Sequence, residues 1–255
     1  MTAVRQTWQV TMRGVRVLIR QPAFLGITLT QPIIWLLLFG ALFKAITRIP
    51  GFHGSYIDYL TPGIVVMLAV SSAGWTGMGL IEDINSGVTD RMLVSPVWRG
   101  ALNAGSVLYA VLSVIIQTAL ILLLALALGA HFSSFGGVLV LVLVAALLAA
   151  TFASFSNGIA AIARQRETLI GAVSFVLLPL TFLSSALMQR SLVPGWIQTV
   201  SDVNPVNWAV EAGRSAAMGS IGWGLVGVRL GLLAALALAA ATFATRSFRS
   251  YQESL

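Results

Sequence analysis

Six apolar runs set the limits on what this chain can fold into. They cover residues 23–43, 60–81, 102–129, 135–163, 169–188 and 221–245, and each is long enough to cross a bilayer as a helix. About 20 residues at a rise of ~1.5 Å span the ~30 Å hydrocarbon core. Inside that core every peptide group must find its partner within the protein, and a lone segment meets this demand only as a helix. The chain is therefore predicted to be an all-α, polytopic membrane protein with six transmembrane helices in one domain, 1–255. Composition agrees: 58% of residues are hydrophobic and the mean hydropathy is +0.92, against ~45–50% apolar residues in soluble domains. The runs 102–129 and 135–163 exceed a perpendicular crossing, so tilt or extension beyond the bilayer is expected.

Charge is scarce, at 9% of residues, and its placement is informative. The densest interval, 82–101, holds Glu82, Asp83, Asp90, Arg91 and Arg99 between the second and third runs. An ionised side chain at mid-bilayer costs at least ~2.5 kcal/mol, so this interval must lie in water as the principal aqueous loop. Its inner part, from Thr89 to Val97, mixes polar residues with Met92, Leu93 and Val97, with Trp98 just beyond. That pattern predicts a short amphipathic helix ended near Ser95-Pro96, a feature another protein could grip.

Residues 3–20 place Val4, Trp8, Met12, Val15, Leu18 and Ile19 within one third of a helical wheel, with Arg5, Arg13, Arg16 and Arg20 beside them. This predicts a helix lying in the membrane interface, either a passive anchor or a receiver of motion. A cleaved leader is not expected, because the apolar run begins only after Pro22. In the first span Gln31-Pro32 interrupts the apolar sequence. Proline predicts a kink, and the Gln31 amide should face protein or a water-filled path. The fifth run carries Pro179, Thr181, Ser184 and Ser185 in its outer half. Residues 190–220 hold two short amphipathic pieces. Asn204 is placed to cap the second, Pro205 fits its first position, and Trp196 and Trp208 suit the headgroup zone. These pieces are expected to dip into the membrane as re-entrant helices. Glu211 and Arg214 stand at i, i+3, where they can pair on one face.

Orientation follows from the side on which Lys and Arg collect. With a cytoplasmic N-terminus, that side holds Arg5, Arg13, Arg16, Arg20, Arg91, Arg99, Arg164, Arg166, Arg246 and Arg249, ten residues against Lys44, Arg48, Arg190 and Arg214 on the other. Both termini and the 82–101 loop are therefore expected in the cytoplasm. The net charge of +7 belongs to this asymmetry, and no nucleic-acid partner is expected. Cysteine is absent and the two histidines, His53 and His131, stand alone, so no metal site is expected.

No G-x-x-x-x-G-K-[ST], H-E-x-x-H or G-x-S-x-G motif occurs. The chain has no phosphate-cradling loop of its own, no catalytic residue is assigned, and it is not expected to be an enzyme. Acidic residues are confined to span ends and loops, which weakens an ion-coupled secondary multidrug carrier, although Arg229 near the start of the last span keeps that alternative open. A membrane-embedded lipid-modifying enzyme is the other alternative.

Six spans with cytoplasmic ends, the N-terminal amphipathic helix, the loop Gly87-Val88-Thr89-Asp90-Arg91-Met92-Leu93-Val94-Ser95-Pro96, and the segment from Asn204-Pro205 through Glu211 and Arg214 together resemble an ABC-2 type exporter permease. Within that family the chain is similar to the daunorubicin-resistance group of drug and lipid exporters. The resemblance implies that 82–101 carries a cytoplasmic coupling helix seated in a separate ATPase. Glu82, Asp83, Thr89, Asp90, Arg91, Ser95, Pro96 and Arg99, with Arg13 and Arg16 from the first helix, would make that contact. It implies that Gln31, Thr181, Ser184 and Ser185 line the substrate path or the permease dimer interface. Asn204, Pro205, Glu211 and Arg214 would form the outer gate. Two ATPase copies binding ATP and Mg, a second permease chain, the lipid bilayer and an amphipathic drug, lipid or glycolipid are the partners implied, at the cytoplasmic membrane.

Overall fold

The computed structural model describes residues 3–42, 55–88, 100–187, 193–219 and 222–253, and among them all regular structure is helical. The helices are α1 (Ala3–Arg20), α2 (Pro22–Leu42), α3 (Tyr56–Gly74), α4 (Gly77–Asn85), α5 (Gly100–Ala127), α6 (Phe135–Ala163), α7 (Arg166–Phe182), α8 (Gly195–Asp202), α9 (Pro205–Ala217) and α10 (Trp223–Glu253). Five segments are long and apolar enough to cross a membrane: α2, α3 with α4, α5, α6 and α10. The apolar run 169–188 instead yields the 17-residue α7.

Helix α6 is the axis of the fold. It packs against α3, α4, α5, α7, α9 and α10, most extensively against α10. Its Leu141, Val144, Ala145, Leu148, Ala149 and Ala153 are fully buried, a mix of small and branched side chains that lets several helices approach one rod. At its start the Ser134 hydroxyl accepts from Gly137 N–H, and at its end Arg164 turns left-handed with φ 55° and closes the helix. On the periphery, α2 exposes Ile27, Ile34, Leu37 and Leu38, and α10 exposes Leu225, Val228, Leu232 and Leu238. Such rows of bare aliphatic side chains suit a hydrocarbon surrounding.

Helix α1 departs from the helical-wheel expectation. Its buried residues are Gln6, Thr11 and Leu18, and α1 lies chiefly against α5. A Cβ on Gly105 would sit 2.6 Å from Val10, and one on Gly14 would sit 2.7 Å from the Tyr109 ring, so the two helices meet almost backbone to backbone. The Thr11 hydroxyl reaches Gly105 O at 3.2 Å across that seam. Of the six apolar residues that share a wheel face, only Leu18 is buried, while Val4, Trp8 and Ile19 are more than half exposed. Small residues permit the closest approach at this seam, and Val4, Trp8 and Ile19 of the apolar stripe are left exposed.

The second apolar segment also begins and ends differently from its sequence reading. The polar stretch before it ends in a capping box, in which Ser55 accepts from Ile57 N–H and Asp58 accepts from Ser55 N–H, so α3 already starts at Tyr56. Near Trp75 and Thr76 the helix breaks, and Met78 and Gly79 bond to carbonyls three residues back. Ser156 Oγ of α6 takes up the Gly77 N–H at 3.0 Å, so the break leaves that donor satisfied. Beyond it α4 runs to Asn85, which places Glu82 and Asp83 on its last turns and not in a loop.

Candidate functional site

Continuous helices separate two polar centres. α3 starts at one and α4 ends at the other, while α7 begins at the second and finishes at the first.

The first centre forms where α7 stops. Phe182 is its last helical residue, and the carbonyls beyond the helix need donors. They come from distant side chains. Asn204 Nδ2 donates to Leu180 O at 2.7 Å and Leu183 O at 3.1 Å, and Tyr56 OH donates to Leu187 O at 3.3 Å. Arg214 donates through Nη2 to Ser185 O at 2.9 Å and Ala186 O at 3.3 Å, and through Nε to Tyr59 O at 3.2 Å. Its guanidinium lies 3.7 Å above the Tyr59 ring, a cation–π contact that offsets part of its loss of water. Asn204 meanwhile caps α9 through Val206 N–H, with Pro205 at the first helical position. One asparagine thus ends one helix and starts another.

Glu211 also belongs to a wider network than the expected pairing with Arg214. The salt bridge of Glu211 runs to Arg229 Nη2 on α10 at 2.8 Å, and its other oxygen accepts from Asn207 Nδ2 at 2.9 Å. Asn207 Oδ1 accepts from Ser185 N–H at 3.0 Å and Ser185 Oγ at 2.7 Å. A chain of polar contacts therefore runs from α10 through α9 to the turn after α7. Ser184 is engaged as well: it donates to Thr181 O at 2.7 Å and accepts from Ala186 N–H at 3.4 Å. Ser184 and Ser185 serve the turn itself, while Thr181 is half-buried. Asn207, Arg229, Tyr56 and Tyr59 are members that the sequence reading did not assign. The i, i+4 spacing of Asn207 and Glu211 was the available signal for the first, and Arg229 stood out as a charge within an apolar run.

The second centre joins three elements by charge. Arg13 of α1 pairs with Asp83 of α4, and Arg166 at the start of α7 pairs with Glu82 at 3.3 Å. These are partly exposed pairs, with side-chain exposures of 47% for Arg13 and 27% for Asp83. Exposed pairs contribute ~0–1 kcal/mol, so Asp83→Asn is expected to move the thermal unfolding free energy by less than ~1 kcal/mol, read by a melting curve in detergent. Arg16 is exposed on the same helix. Thr89, Asp90, Arg91, Ser95, Pro96 and Arg99 lie outside the described residues. Gln31 is exposed on α2 among the described residues.

Between the two centres lie buried polar clamps that the sequence did not advertise. Asn157 on α6 donates to Asn103 Oδ1 at 3.0 Å and Ser106 Oγ at 3.3 Å on α5. Gln117 on α5 donates to Ser113 Oγ at 2.9 Å and to Ser72 Oγ of α3 at 3.2 Å. Amide–hydroxyl contacts of this kind hold membrane helices in register.

Long apolar helices with polar side chains confined to two ends and a few interhelical clamps define a multi-pass membrane protein. The particular family is shown by comparison: residues 5–218 match the ABC-2 type transporter family, and the chain belongs to it. It is 32% identical to the daunorubicin resistance ABC transporter permease protein of Streptomyces coeruleorubidus, over 98% of this chain and 87% of that one. It is also 32% identical to the putative transport permease ycf38 of Cyanophora paradoxa, over 75% of this chain and 67% of that one. The inner membrane transport permease YadH of Escherichia coli strain K12 is 29% identical over 75% and 76%. These relatives are transport permeases, which are not themselves enzymes.

Proposed function

We propose that this chain is the membrane-spanning subunit of an ATP-driven exporter that moves amphipathic drugs, lipids or glycolipids outward across the cytoplasmic membrane. The observation that carries the reading is full-length similarity to a daunorubicin resistance permease. Two ATPase subunits, holding ATP and Mg, would work with this permease and a second permease chain, identical or homologous.

In this reading α7 is the sixth crossing. Its 17 residues rise about 25 Å, and the turn that follows supplies the remainder of a ~30 Å core. An even number of crossings puts both termini on one side, which the Lys and Arg count makes the cytoplasm. α8 and α9 are then the re-entrant pair at the outer mouth, and Asn204, Pro205, Glu211 and Arg214 belong to the outer gate. The exposed stripe of α1 rests in the inner membrane interface. Gln31, exposed among the described residues, would face the second permease or the path between the two, because an amide left against lipid would be unsatisfied.

Coupling would begin at the cytoplasmic end. Closure of the ATPases pushes the 82–101 segment, through Thr89, Asp90, Arg91, Ser95, Pro96 and Arg99. Glu82 and Asp83 pass the push to α7 and α1 through Arg166, Arg13 and neighbouring Arg16, and the rigid helices deliver it to the outer junction. The tagged protein, drawn from its native membrane in mild detergent, is expected to bring down a P-loop ATPase with vanadate-sensitive activity. In that complex Arg91→Glu is expected to leave insertion normal and ATP hydrolysis running while export falls to background. Export at the wild-type rate, at equal expression, would defeat the coupling assignment.

A further inference from the structure

One feature that neither polar centre uses is a partly open apolar cavity of about 340 Å³ lined by α6, α7, α9 and α10. We propose that it is a binding site for one acyl chain of a bilayer phospholipid. The proposal does not rest on ATP-driven export.

The cavity's chemistry excludes most other occupants. Phe152, Phe155 and Phe243 supply aromatic walls, and Val176, Leu180 and Leu236 complete them with aliphatic ones. The lone polar side chain is Thr151, whose hydroxyl already donates to Leu147 O at 2.8 Å. Pro205, next to Asn204, joins the lining, and proline has no N–H to offer. Ligand pockets of ~300–1,000 Å³ that hold drug-like molecules add a few placed polar groups to fix orientation. This cavity reaches the lower end of that size range with an almost wholly apolar lining, so a drug's amine or hydroxyl would find no partner on its walls. A hydrocarbon chain needs none.

Position selects the source of that chain. Two of the walls belong to helices long and apolar enough to span, α6 and α10. The same helices and α7 turn Leu178, Phe182, Leu232 and Leu238 outward, the surface that such a bundle gives to lipid tails. The occupant is thus drawn from the medium that already surrounds the walls. Its seat touches Leu180, whose carbonyl is held by Asn204, and Pro205, where α9 begins. A chain in this seat would brace α9 against α6 and α10.

The test uses the full-length protein in its native membrane, supplied with a phosphatidylethanolamine that carries a diazirine along one acyl chain. After illumination, peptides containing Phe152 with Phe155, and Phe243, are expected to carry more label than the exposed Leu178 and Phe182 surface. Excess unlabelled phosphatidylethanolamine should compete the cavity label but not the surface label. Ala240→Phe fills the cavity, and excluding two or more methylenes should lower cavity labelling roughly tenfold while leaving surface labelling unchanged. Ala239→Leu serves the same purpose should the larger side chain disturb folding. Equal labelling of cavity and surface, insensitive to both variants, would overturn the proposal. So would displacement of the cavity label by daunorubicin with phospholipid ineffective, which would make the site one for cargo.

Discussion

Gly63→Ala is expected to cost more than ~3 kcal/mol and to leave little monodisperse protein after detergent extraction, because the added carbon has nowhere to go. A Cβ at Gly63 would overlap the Ala186 carbonyl oxygen, which is backbone and not a side chain that can swing aside. That carbonyl belongs to the turn after α7, where Arg214, Asn207 and Tyr56 hold Ala186 and its neighbours from other directions. Relieving the overlap would pull the turn off those donors and leave buried carbonyls unsatisfied. The control is Gly231→Ala on α10, where, beyond the helix's own backbone and the adjacent residues, no described atom lies within 4 Å of the new carbon. There the higher helix propensity of alanine should stabilise by up to ~1 kcal/mol. Size-exclusion profiles and melting curves of the two variants read the contrast; near-identical profiles would mean that the turn is free to move.

Glu211→Leu is the second large effect. The side chains of Glu211 and Arg229 are 21% and 19% exposed, so removing the carboxylate strands a mostly buried guanidinium. Breaking such a pair from one side costs ~3–5 kcal/mol, while replacing both members with apolar residues is often close to neutral. The double variant Glu211→Leu, Arg229→Leu is therefore expected to regain most of the lost melting temperature. Asn207 loses an acceptor in both variants, so the recovery isolates the charge. Equal destabilisation of the single and double variants would show that the carboxylate acts through Asn207 and not through Arg229.

The same residues show what was legible in the chain and what was not. Asn204 followed by Pro205 reads as a helix start because capping is a matter of three adjacent residues, and α9 begins there. The Ser55–Asp58 capping box was equally local and was overlooked, which hid the first turn of α3 within a polar stretch. The i, i+3 spacing of Glu211 and Arg214 marks them as partners of each other, and it does not reveal the contacts that each makes with distant elements. One partner of Glu211 is 18 residues on, and one acceptor of Arg214 is 155 residues back. The run 169–188 reads as an uninterrupted helix, yet residues 183–187 leave the helical path. Side chains 20 to 30 residues later, on Asn204, Asn207 and Arg214, take over the peptide groups of 180–186. On α1 the helical wheel groups the bulky apolar residues and says nothing of the seam of Thr11 and Gly14 at which the helix packs.

The sequence by itself determined that the chain lives in a membrane and is helical there. Unbroken apolar runs are local, and peptide groups in hydrocarbon must pair within their own segment. It also determined that ionised groups would gather at helix ends, since their solvation cost does not depend on neighbours. Only the tertiary structure decided which face of α1 is buried, where α7 stops and what Glu211 and Arg214 hold. Hydrophobicity is indifferent to which apolar surface it meets, so register is left to small residues that let backbones approach and to polar side chains that accept few partners. Those partners become neighbours only after the helices have packed.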